Sequence, residues 1–246
     1  MMTTTPFIKI LDNVESTNNY AMAKVRAGLA KHGLAFAAKA QTAGKGQRGK
    51  SWHMEPDKNI AMSLLLKTDN LKVDQQFCLS MAVSLGVYDF FKKYAGDETK
   101  IKWPNDLYWR DRKAGGILIE NSIKGTHWKW AVVGIGININ QERFNKFLPN
   151  PVSLQQITGK NYNVIELTEK LYHCVMKKVN KISSNSIDKI LKEYNGHLYK
   201  LNEVVKFKKG NAVFKTTVNG VSATGQLHTA DTMERQFYFG DVEWVL

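Results

Sequence analysis

Residues 44–51 read Gly-Lys-Gly-Gln-Arg-Gly-Lys-Ser and match the phosphate-loop pattern G-x-x-x-x-G-K-[ST]. A phosphate loop is followed directly by a helix, because the N–H groups at the start of that helix bind the phosphates. Here residues 52–59 read Trp-His-Met-Glu-Pro-Asp-Lys-Asn, a turn-rich segment whose proline excludes a long helix. We therefore expect a glycine-rich loop in a fold other than the P-loop fold.

The residue types of this loop still favour an anionic ligand. Its glycines allow backbone N–H groups to approach a phosphate closely, and Lys45, Arg48 and Lys50 add positive charge. Trp52 follows the loop and offers a ring on which an adenine can stack. The alternative is a surface loop whose lysines are simply solvated.

The spacing of apolar residues predicts both strands and helices up to about residue 199. Helical spacing is clearest over Asp74–Tyr94, and Asn59–Lys67 is typical of a strand. The pattern favours an α+β fold, a mixed β-sheet covered by helices, over a doubly wound parallel sheet. From about Leu201, short alternating strands separated by glycines predict a small β-barrel. The predicted domains are residues 1–199 and 200–246.

The composition limits the class of protein and its partners. The chain has 246 residues and a net charge of +13, which favours an acidic protein, a nucleic acid or an anionic substrate. Its basic residues are spread along the whole chain, which weakens the nucleic-acid interpretation. Cys78 and Cys174 lie in apolar helical patterns, so we expect buried thiols. No signal peptide or stretch of roughly 20 apolar residues is evident, and we expect a cytoplasmic protein.

A second motif is Lys102-Trp103-Pro104-Asn105-Asp106. The proline ends a short strand, which puts Asn105 and Asp106 at the end of that strand. A carboxylate there suits a magnesium ligand, an orienting group for an incoming lysine, or a base. The alternative is an ordinary Asn-Asp turn.

Two further motifs bring glycine into apolar strands. In Arg112-Lys113-Ala114-Gly115-Gly116, the glycines permit a flat ligand to lie against the backbone, with Lys113 facing its anionic end. The alternative is a hairpin corner with an exposed lysine. In residues 134–138, Gly-Ile-Gly-Ile-Asn, two glycines again invite a close approach, and no third glycine and helix follow as a dinucleotide site requires.

In this order the motifs resemble the biotin protein ligase family. The matching blocks are Glu-Ser-Thr-Asn-Asn (residues 15–19), Gln-Thr-Ala-Gly-Lys-Gly-Gln-Arg-Gly (41–49), Lys-Trp-Pro-Asn-Asp (102–106), Arg-Lys-Ala-Gly-Gly-Ile (112–117) and Gly-Ile-Gly-Ile-Asn (134–138). The resemblance covers essentially the whole chain. It implies a class II synthetase-like catalytic domain followed by a small SH3-like barrel, without an amino-terminal helix-turn-helix domain.

The resemblance also implies an activity. The family forms biotinyl-5'-AMP from biotin and ATP with Mg²⁺, and then transfers biotin to a lysine of a biotin carboxyl carrier protein. We therefore expect a monomer or homodimer that docks an acidic carrier on its basic surface and binds no DNA through a helix-turn-helix. Such docking is expected to weaken as salt is raised.

The residues that match the family's motifs receive roles by the same resemblance. The expected catalytic residues are Lys113, Asp106 and Arg48. The expected biotin-binding residues are Ser16, Thr17, Asn18, Gln41, Gly44, Lys45, Gly46, Gln47, Lys113, Gly115 and Gly116. The expected ATP and adenylate contacts are Lys45, Arg48, Lys50, Trp52, Lys102, Asn105 and Asn138. Magnesium is expected mainly on the ATP phosphates, with Asp106 as the candidate protein ligand.

The glycine-rich loop departs from the family at two positions. The family commonly has Gly-Arg-Gly-Arg-Arg-Gly, whereas here Lys45 and Gln47 replace two arginines. Lysine keeps the positive charge but loses the two-pronged hydrogen bonding of arginine. Gln47 removes a charge that helps the family to retain the adenylate, so Arg48 or Lys50 would have to compensate.

Two other functions remain as alternatives. A lipoate or octanoate ligase or transferase shares the general fold, and the Ser-Thr-Asn and Lys-Trp-Pro-Asn-Asp blocks favour biotin over it. The other is a basic nucleic-acid-binding regulatory module that uses the carboxy-terminal barrel. Its four lysines, Lys206, Lys208, Lys209 and Lys215, cluster away from the aromatic residues at 237–239, which disfavours that role.

Overall fold

The computed structural model describes residues 7–69, 71–125, 127–146 and 148–245. The strands are β1 (Ile8–Val14), β2 (Ala35–Gln41), β3 (Asn59–Lys67), β4 (Thr99–Lys102), β5 (Asp106–Trp109), β6 (Arg112–Lys124), β7 (His127–Asn138), β8 (Val204–Lys209), β9 (Ala212–Val221), β10 (Leu227–Ala230), β11 (Glu234–Phe237) and β12 (Glu243–Val245). The helices are α1 (Thr17–Arg26), α2 (Gln76–Ala95), α3 (Leu154–Thr158), α4 (Val164–Val179) and α5 (Ile187–Gly196).

The larger sheet has seven strands in the order β1-β2-β3-β7-β6-β5-β4. Strands β1 and β2 are parallel and are joined through α1, while the other neighbours are antiparallel. The long strands β6 and β7 pair as an antiparallel hairpin at the centre of the sheet. The α+β class with a mixed sheet is thereby confirmed.

Helices cover both faces of this sheet, which explains why β3 is apolar almost without interruption. On one face, Leu64 and Leu66 pack in a large core with α2 and α4. On the other face, Leu65 packs with Phe36 and with Ala21 of α1. A strand buried on both sides needs apolar residues at successive positions, not alternate ones.

The carboxy-terminal strands form a second, antiparallel sheet in the order β11-β10-β9-β8-β12. The closed barrel that we expected is not observed, because no ladder joins the two edge strands within the described residues. Those edge strands, β11 and β12, are four and three residues long, which leaves few backbone groups for closure.

The second sheet shares its core with the larger part of the chain. Phe207 and Leu227 of this sheet pack in one apolar cluster with Met81 of α2, Trp103 and Tyr194 of α5. The boundary between residues 1–199 and 200–246 remains a proposal, and this shared core indicates that the second part would not retain its packing alone.

Several shorter elements escaped the sequence patterns. The sequence pattern predicted neither strand β5 nor helix α3. Both cysteines are free thiols, Cys78 buried and Cys174 half-buried. Among the described helices, none combines the length and apolarity that crossing a membrane would require.

Candidate active site

A cavity of about 1010 Å³ lies where the larger sheet, the glycine-rich loop and the last strand of the second sheet meet. It brings together all but two of the residues that the sequence singled out. These lining residues are Ser16, Thr17, Asn18, Gln41, Lys45, Gly46, Gln47, Arg48, Lys50, Trp52, Lys102, Asn105, Asp106, Lys113, Gly116 and Asn138. Gly44 and Gly115 do not line it.

Close packing explains why residues 44 and 115 are glycine. A Cβ atom at Gly44 would lie 2.9 Å from Gln41 Nε2, and one at Gly115 would lie 2.7 Å from the carbonyl oxygen of Gly136. Any side chain at either position would displace a neighbouring backbone segment or cavity residue. This close packing requires glycine at both positions, and the contact of Gly44 and Gly115 with biotin stays a prediction.

A buried polar network lies at the start of α1. Ser16 is the N-cap, and its hydroxyl accepts from the N–H of Asn19. The side-chain carbonyl of Gln41 accepts from the backbone N–H of Thr17 at 2.8 Å and from its hydroxyl at 3.2 Å. The Thr17 hydroxyl also accepts from the Ser63 hydroxyl at 2.8 Å, so this network fixes the position of Thr17 in the cavity wall.

Asn18 continues this network across the sheet. Its Nδ2 donates to Glu120 Oε2 at 2.8 Å, and its Oδ1 lies 2.6 Å from the Ser63 hydroxyl. Asn18 sits against the backbone of Gly134, where a Cβ atom would overlap the Asn18 amide. The glycine in β7 is thus required by the close approach of Asn18.

The glycine-rich loop is a folded turn. Lys45 and Ser51 form an antiparallel bridge, and the N–H of Gly46 donates to the carbonyl of Lys50 at 2.6 Å. Arg48 has φ of 55°, a left-handed conformation that is uncommon outside glycine and concentrates at functional sites. The segment after Ser51 contains no helix, as predicted.

The two positions that differ from the family pattern contact β6. Lys45 Nζ lies 3.6 Å from Glu120 Oε1, and Gln47 Nε2 donates to the carbonyl of Ile117 at 3.4 Å. Arg48 turns the other way, and its Nη1 lies 3.5 Å from the carbonyl of Gly240. The loop is therefore held between the larger sheet and the carboxy-terminal segment.

Trp52 packs against β7 at Gly136. A Cβ atom at Gly136 would lie 2.5 Å from Trp52 Cε2, so only glycine permits this packing. The indole N–H of Trp52 and Oε1 of Gln47 are buried without a hydrogen-bond partner in the described residues. Each of these buried polar atoms without a partner costs free energy in this structure.

Lys113 and Asp106 form the ionic pair of the cavity. Their Nζ and Oδ1 atoms are 2.6 Å apart, and the two side chains are 29% and 22% exposed. The register shifts by one residue between Leu107 and Tyr108, so that Ala114 is an extra residue in β6. This bulge puts Lys113 on the same face as Gly116, although strict alternation would put them on opposite faces.

Lys102 is the most buried charged residue of the cavity. It is 7% exposed, and its Nζ donates to the Tyr108 hydroxyl at 3.0 Å. Burial lowers the pKa of Lys102 to about 8, with smaller contributions from Asp106, which raises it, and Lys113, which lowers it. Burial also raises the pKa of Tyr108, so the hydroxyl stays protonated.

Two asparagines are engaged with backbone carbonyls. Asn138 Nδ2 donates to the carbonyl of Val152 at 3.1 Å, and Asn105 Nδ2 donates to that of Ile117 at 2.6 Å. Asn138 Nδ2 also donates to the carbonyl of Lys113 at 3.4 Å, so a contact of Asn138 with adenine would use Oδ1 as the acceptor of an adenine N–H. A contact of Asn105 with a phosphate would use the second N–H of its amide, because an amide oxygen accepts and does not donate.

The cavity offers little to a metal ion by itself. The described residues contain no group of three or more His, Cys, Asp or Glu side chains placed to hold one. Asp106 is already paired with Lys113. These side chains do not fit a magnesium site made of protein ligands alone, and carriage of Mg²⁺ on the ATP phosphates remains our prediction.

Sequence reasoning missed several cavity residues. Phe239, Trp244 and Tyr108 line the cavity, and Glu120 holds both Asn18 and Lys45 from behind. The first two lie in strands or turns of the second sheet, where no local motif signals a site. Glu120 lies in the apolar run of β6, and only its contacts with Asn18 and Lys45 in the folded protein show that it supports the site.

Comparison with solved structures identifies the class of fold. A biotin protein ligase from Aquifex aeolicus, solved with biotin and ATP, matches 98% of this chain and 99% of its own at a TM-score of 0.81 and 23% identity. The sequence pattern of the biotin/lipoate A/B protein ligase family matches residues 10–138. The chain belongs to that family.

Curated relatives agree with this membership. The bifunctional ligase/repressor BirA of Escherichia coli is 31% identical over 151 residues, which cover 61% of this chain and 46% of that protein. The chain thus spans about half the length of that relative. The biotin–[acetyl-CoA-carboxylase] ligase of Paracoccus denitrificans is 29% identical over 227 residues, 89% of this chain and 92% of that protein.

Gly136→Ala tests the position of Trp52. The added methyl group must displace the indole, which the sequence predicts to stack on adenine. Because base–aromatic stacking is worth about 1–3 kcal/mol, that prediction gives ATP binding at least about fivefold weaker in the variant. Calorimetric titration with ATP measures this. The matched control is Gly196→Ala, since a Cβ atom at Gly196 meets nothing within 4 Å. Unchanged ATP affinity in Gly136→Ala would show that Trp52 does not contact the adenine.

Proposed function

We propose that this chain is an ATP-dependent biotin ligase. In the first step, a biotin carboxylate oxygen attacks the α-phosphorus of ATP and expels pyrophosphate, which gives biotinyl-5'-AMP. In the second step, the amine of a carrier lysine attacks the acyl carbon, loses a proton and expels AMP. The observation that carries the proposal is the single cavity in which the Thr17–Gln41 network, the glycine-rich loop and Lys113 lie together.

The polar network suits one end of biotin. The ureido ring has both N–H donors and a carbonyl acceptor, and it requires paired polar groups in an otherwise apolar pocket. Thr17, Asn18 and Gln41 supply hydroxyl and amide groups, and Ser63 and Glu120 fix their orientation. A lipoyl or octanoyl chain has no polar group to match them, which favours biotin over the other acids of this family.

Lys113 suits the opposite, anionic end. Its ammonium would lie between the biotin carboxylate and the α-phosphate and reduce their repulsion as the new bond forms. Asp106 holds this ammonium at 2.6 Å and thereby fixes its position. Asp106 is also our candidate to accept the proton of the carrier lysine, although it is engaged with Lys113 before substrate binds.

The loop suits the phosphate chain and the nucleotide. Lys45, Arg48 and Lys50 provide side-chain donors and positive charge near the phosphates, and the glycines allow the loop backbone to approach them closely. Trp52 provides a stacking surface for adenine. ATP supplies the activated phosphorus and carries Mg²⁺, while the chain's own residues bind, orient and compensate charge.

Mass spectrometry of a biotin carboxyl carrier domain tests the proposal directly. After incubation with this protein, ATP, Mg²⁺ and biotin, we expect the mass of one biotinyl group on a single lysine. Parallel reactions with lipoate and octanoate distinguish the other acids of the family. Modification by lipoate or octanoate and none by biotin would reject biotin as the substrate. A decrease in transfer with rising salt would support docking of the carrier on the basic surface.

A further inference from the structure

Lys102 is buried in a cage of aromatic rings and not beside a carboxylate. Its Nζ lies 4.5 Å from the ring centroid of Tyr108, 5.0 Å from that of Trp244 and 5.9 Å from that of Tyr199. No described carboxylate lies within salt-bridge distance of it, since Asp106 pairs with Lys113 instead. The cage therefore surrounds a cation without neutralising it.

Aromatic rings around the Lys102 ammonium stabilise it in a different way from a carboxylate. Burying an ammonium costs free energy, and a carboxylate would offset that cost but would also repel an anionic substrate. Aromatic faces attract the cation through their quadrupole and keep its net charge. Lys102 lines the same cavity as Lys113 and Lys50, so its charge remains available for a bound phosphate.

The rings that form the cage come from distant parts of the chain and support one another. Tyr199 lies 5.1 Å from Tyr108 and 5.6 Å from Trp244, measured between ring centroids. The Tyr199 hydroxyl donates to Asp111 Oδ1 at 2.7 Å, which fixes the orientation of its ring. Trp244 belongs to β12 and also packs edge-on against Phe207, at 4.7 Å.

We propose that Trp244 is a positioning residue that holds the Lys102 ammonium toward the phosphates of ATP. The last strand of the second sheet would thereby complete a site built mainly by the larger sheet. The indole N–H of Trp244 has no hydrogen-bond partner in the described residues, so packing alone holds the ring beside Lys102. The inference rests on the proposed function, in that the anion at this end of the cavity is ATP.

A double-mutant cycle tests whether Trp244 acts through Lys102. Its proteins are the wild type, Trp244→Ala, Lys102→Met and the double variant, and its readout is the dissociation constant of ATP measured by calorimetry without biotin. A desolvated cation–π contact is worth up to about 2 kcal/mol, so we expect Trp244→Ala to weaken ATP binding about 5- to 30-fold. In the Lys102→Met background, the same substitution should weaken it less than about twofold, because its partner is already gone.

Further variants separate positioning from folding. Trp244→Phe keeps an aromatic face and should restore most of the ATP affinity, whereas Tyr238→Ala, which removes a 64% exposed ring of the same segment, should have no effect. The Kd of biotin should change little in Trp244→Ala. Equal losses in ATP and biotin binding with a lower melting temperature would indicate a structural role and overturn the proposal.

The outcomes also distinguish this inference from the proposed function. Additive effects of the two substitutions on ATP binding would overturn the positioning role even if carrier biotinylation occurs. Coupled effects on ATP binding, with no biotin transferred to the carrier, would leave the inference intact and reject only biotin ligation. A wild-type protein that bound no ATP would overturn both.

Discussion

Lys113→Ala is expected to slow biotin-dependent adenylate formation by about two to three orders of magnitude, the usual cost of removing one group that stabilises developing charge. Lys113 is the cavity lysine that is ion-paired to Asp106, at 2.6 Å. Under the proposed function, its removal would take away the positive charge between the biotin carboxylate and the α-phosphate, and it would leave Asp106 unpaired, with its negative charge facing the anionic substrates. Both consequences raise the barrier of the first step.

Exchange of labelled pyrophosphate into ATP measures this step, because it requires reversible formation of the adenylate. Lys124→Ala is the matched control, since it removes an exposed lysine at the far end of the same strand and should leave the rate unchanged. Lys113→Arg should recover part of the rate, because arginine keeps the positive charge but its planar guanidinium group does not have the geometry of the lysine ammonium. A Lys113→Ala protein within threefold of the wild type would remove Lys113 from the chemistry and leave the family membership untouched.

Lys102→Met is expected to make the protein more stable and less able to bind ATP. Burial holds the pKa of Lys102 at about 8, below its usual 10.5. The buried charge therefore destabilises the folded state at neutral pH. One pKa unit corresponds to about 1.4 kcal/mol, so the free energy of unfolding should rise by as much as about 3 kcal/mol. Methionine fills a similar unbranched volume without that charge.

The stability difference between Lys102→Met and the wild type depends on pH, because Lys102 binds its proton less tightly in the folded state. Between about pH 8 and 10.5 the unfolded chain holds a proton on Lys102 that the folded chain has lost, so wild-type stability rises with pH over that window. The advantage of Lys102→Met should therefore be full at pH 7 and should shrink toward pH 10.5.

Urea denaturation at pH 7 and pH 10 measures the difference in free energy of unfolding. Lys100→Met is the matched control on the same strand. Lys100 is less buried than Lys102, so its substitution should change the free energy of unfolding by less than about 0.5 kcal/mol. A Lys102→Met protein less stable than the wild type at pH 7 would show that the aromatic cage outweighs the cost of burial. A site that binds substrate better at the expense of stability is a common trade-off.

The sequence was most informative where a local pattern has a local cause. Strand β3 was predicted at its observed bounds, Asn59–Lys67, because burial on both faces requires an uninterrupted apolar run. The glycine-rich loop was recognised as distinct from a P-loop because proline after Ser51 prevents the required helix, and no helix is found there. Strand β5 was missed because four residues after a proline carry too little periodicity.

The motifs by themselves determined which residue types would meet: a polar cluster at residues 16–18, a basic glycine-rich loop, and a lysine beside two glycines. Tertiary structure alone decided their geometry. The bulge at Ala114 turns Lys113 toward Asp106, and an extra residue in one strand is visible only when its partner strand is known. Likewise Trp244, 142 positions beyond Lys102 in the chain, reaches its ammonium only because β12 pairs with β8 in the second sheet. Sequence specifies the local chemistry, whereas contacts between distant segments depend on packing that no single segment encodes.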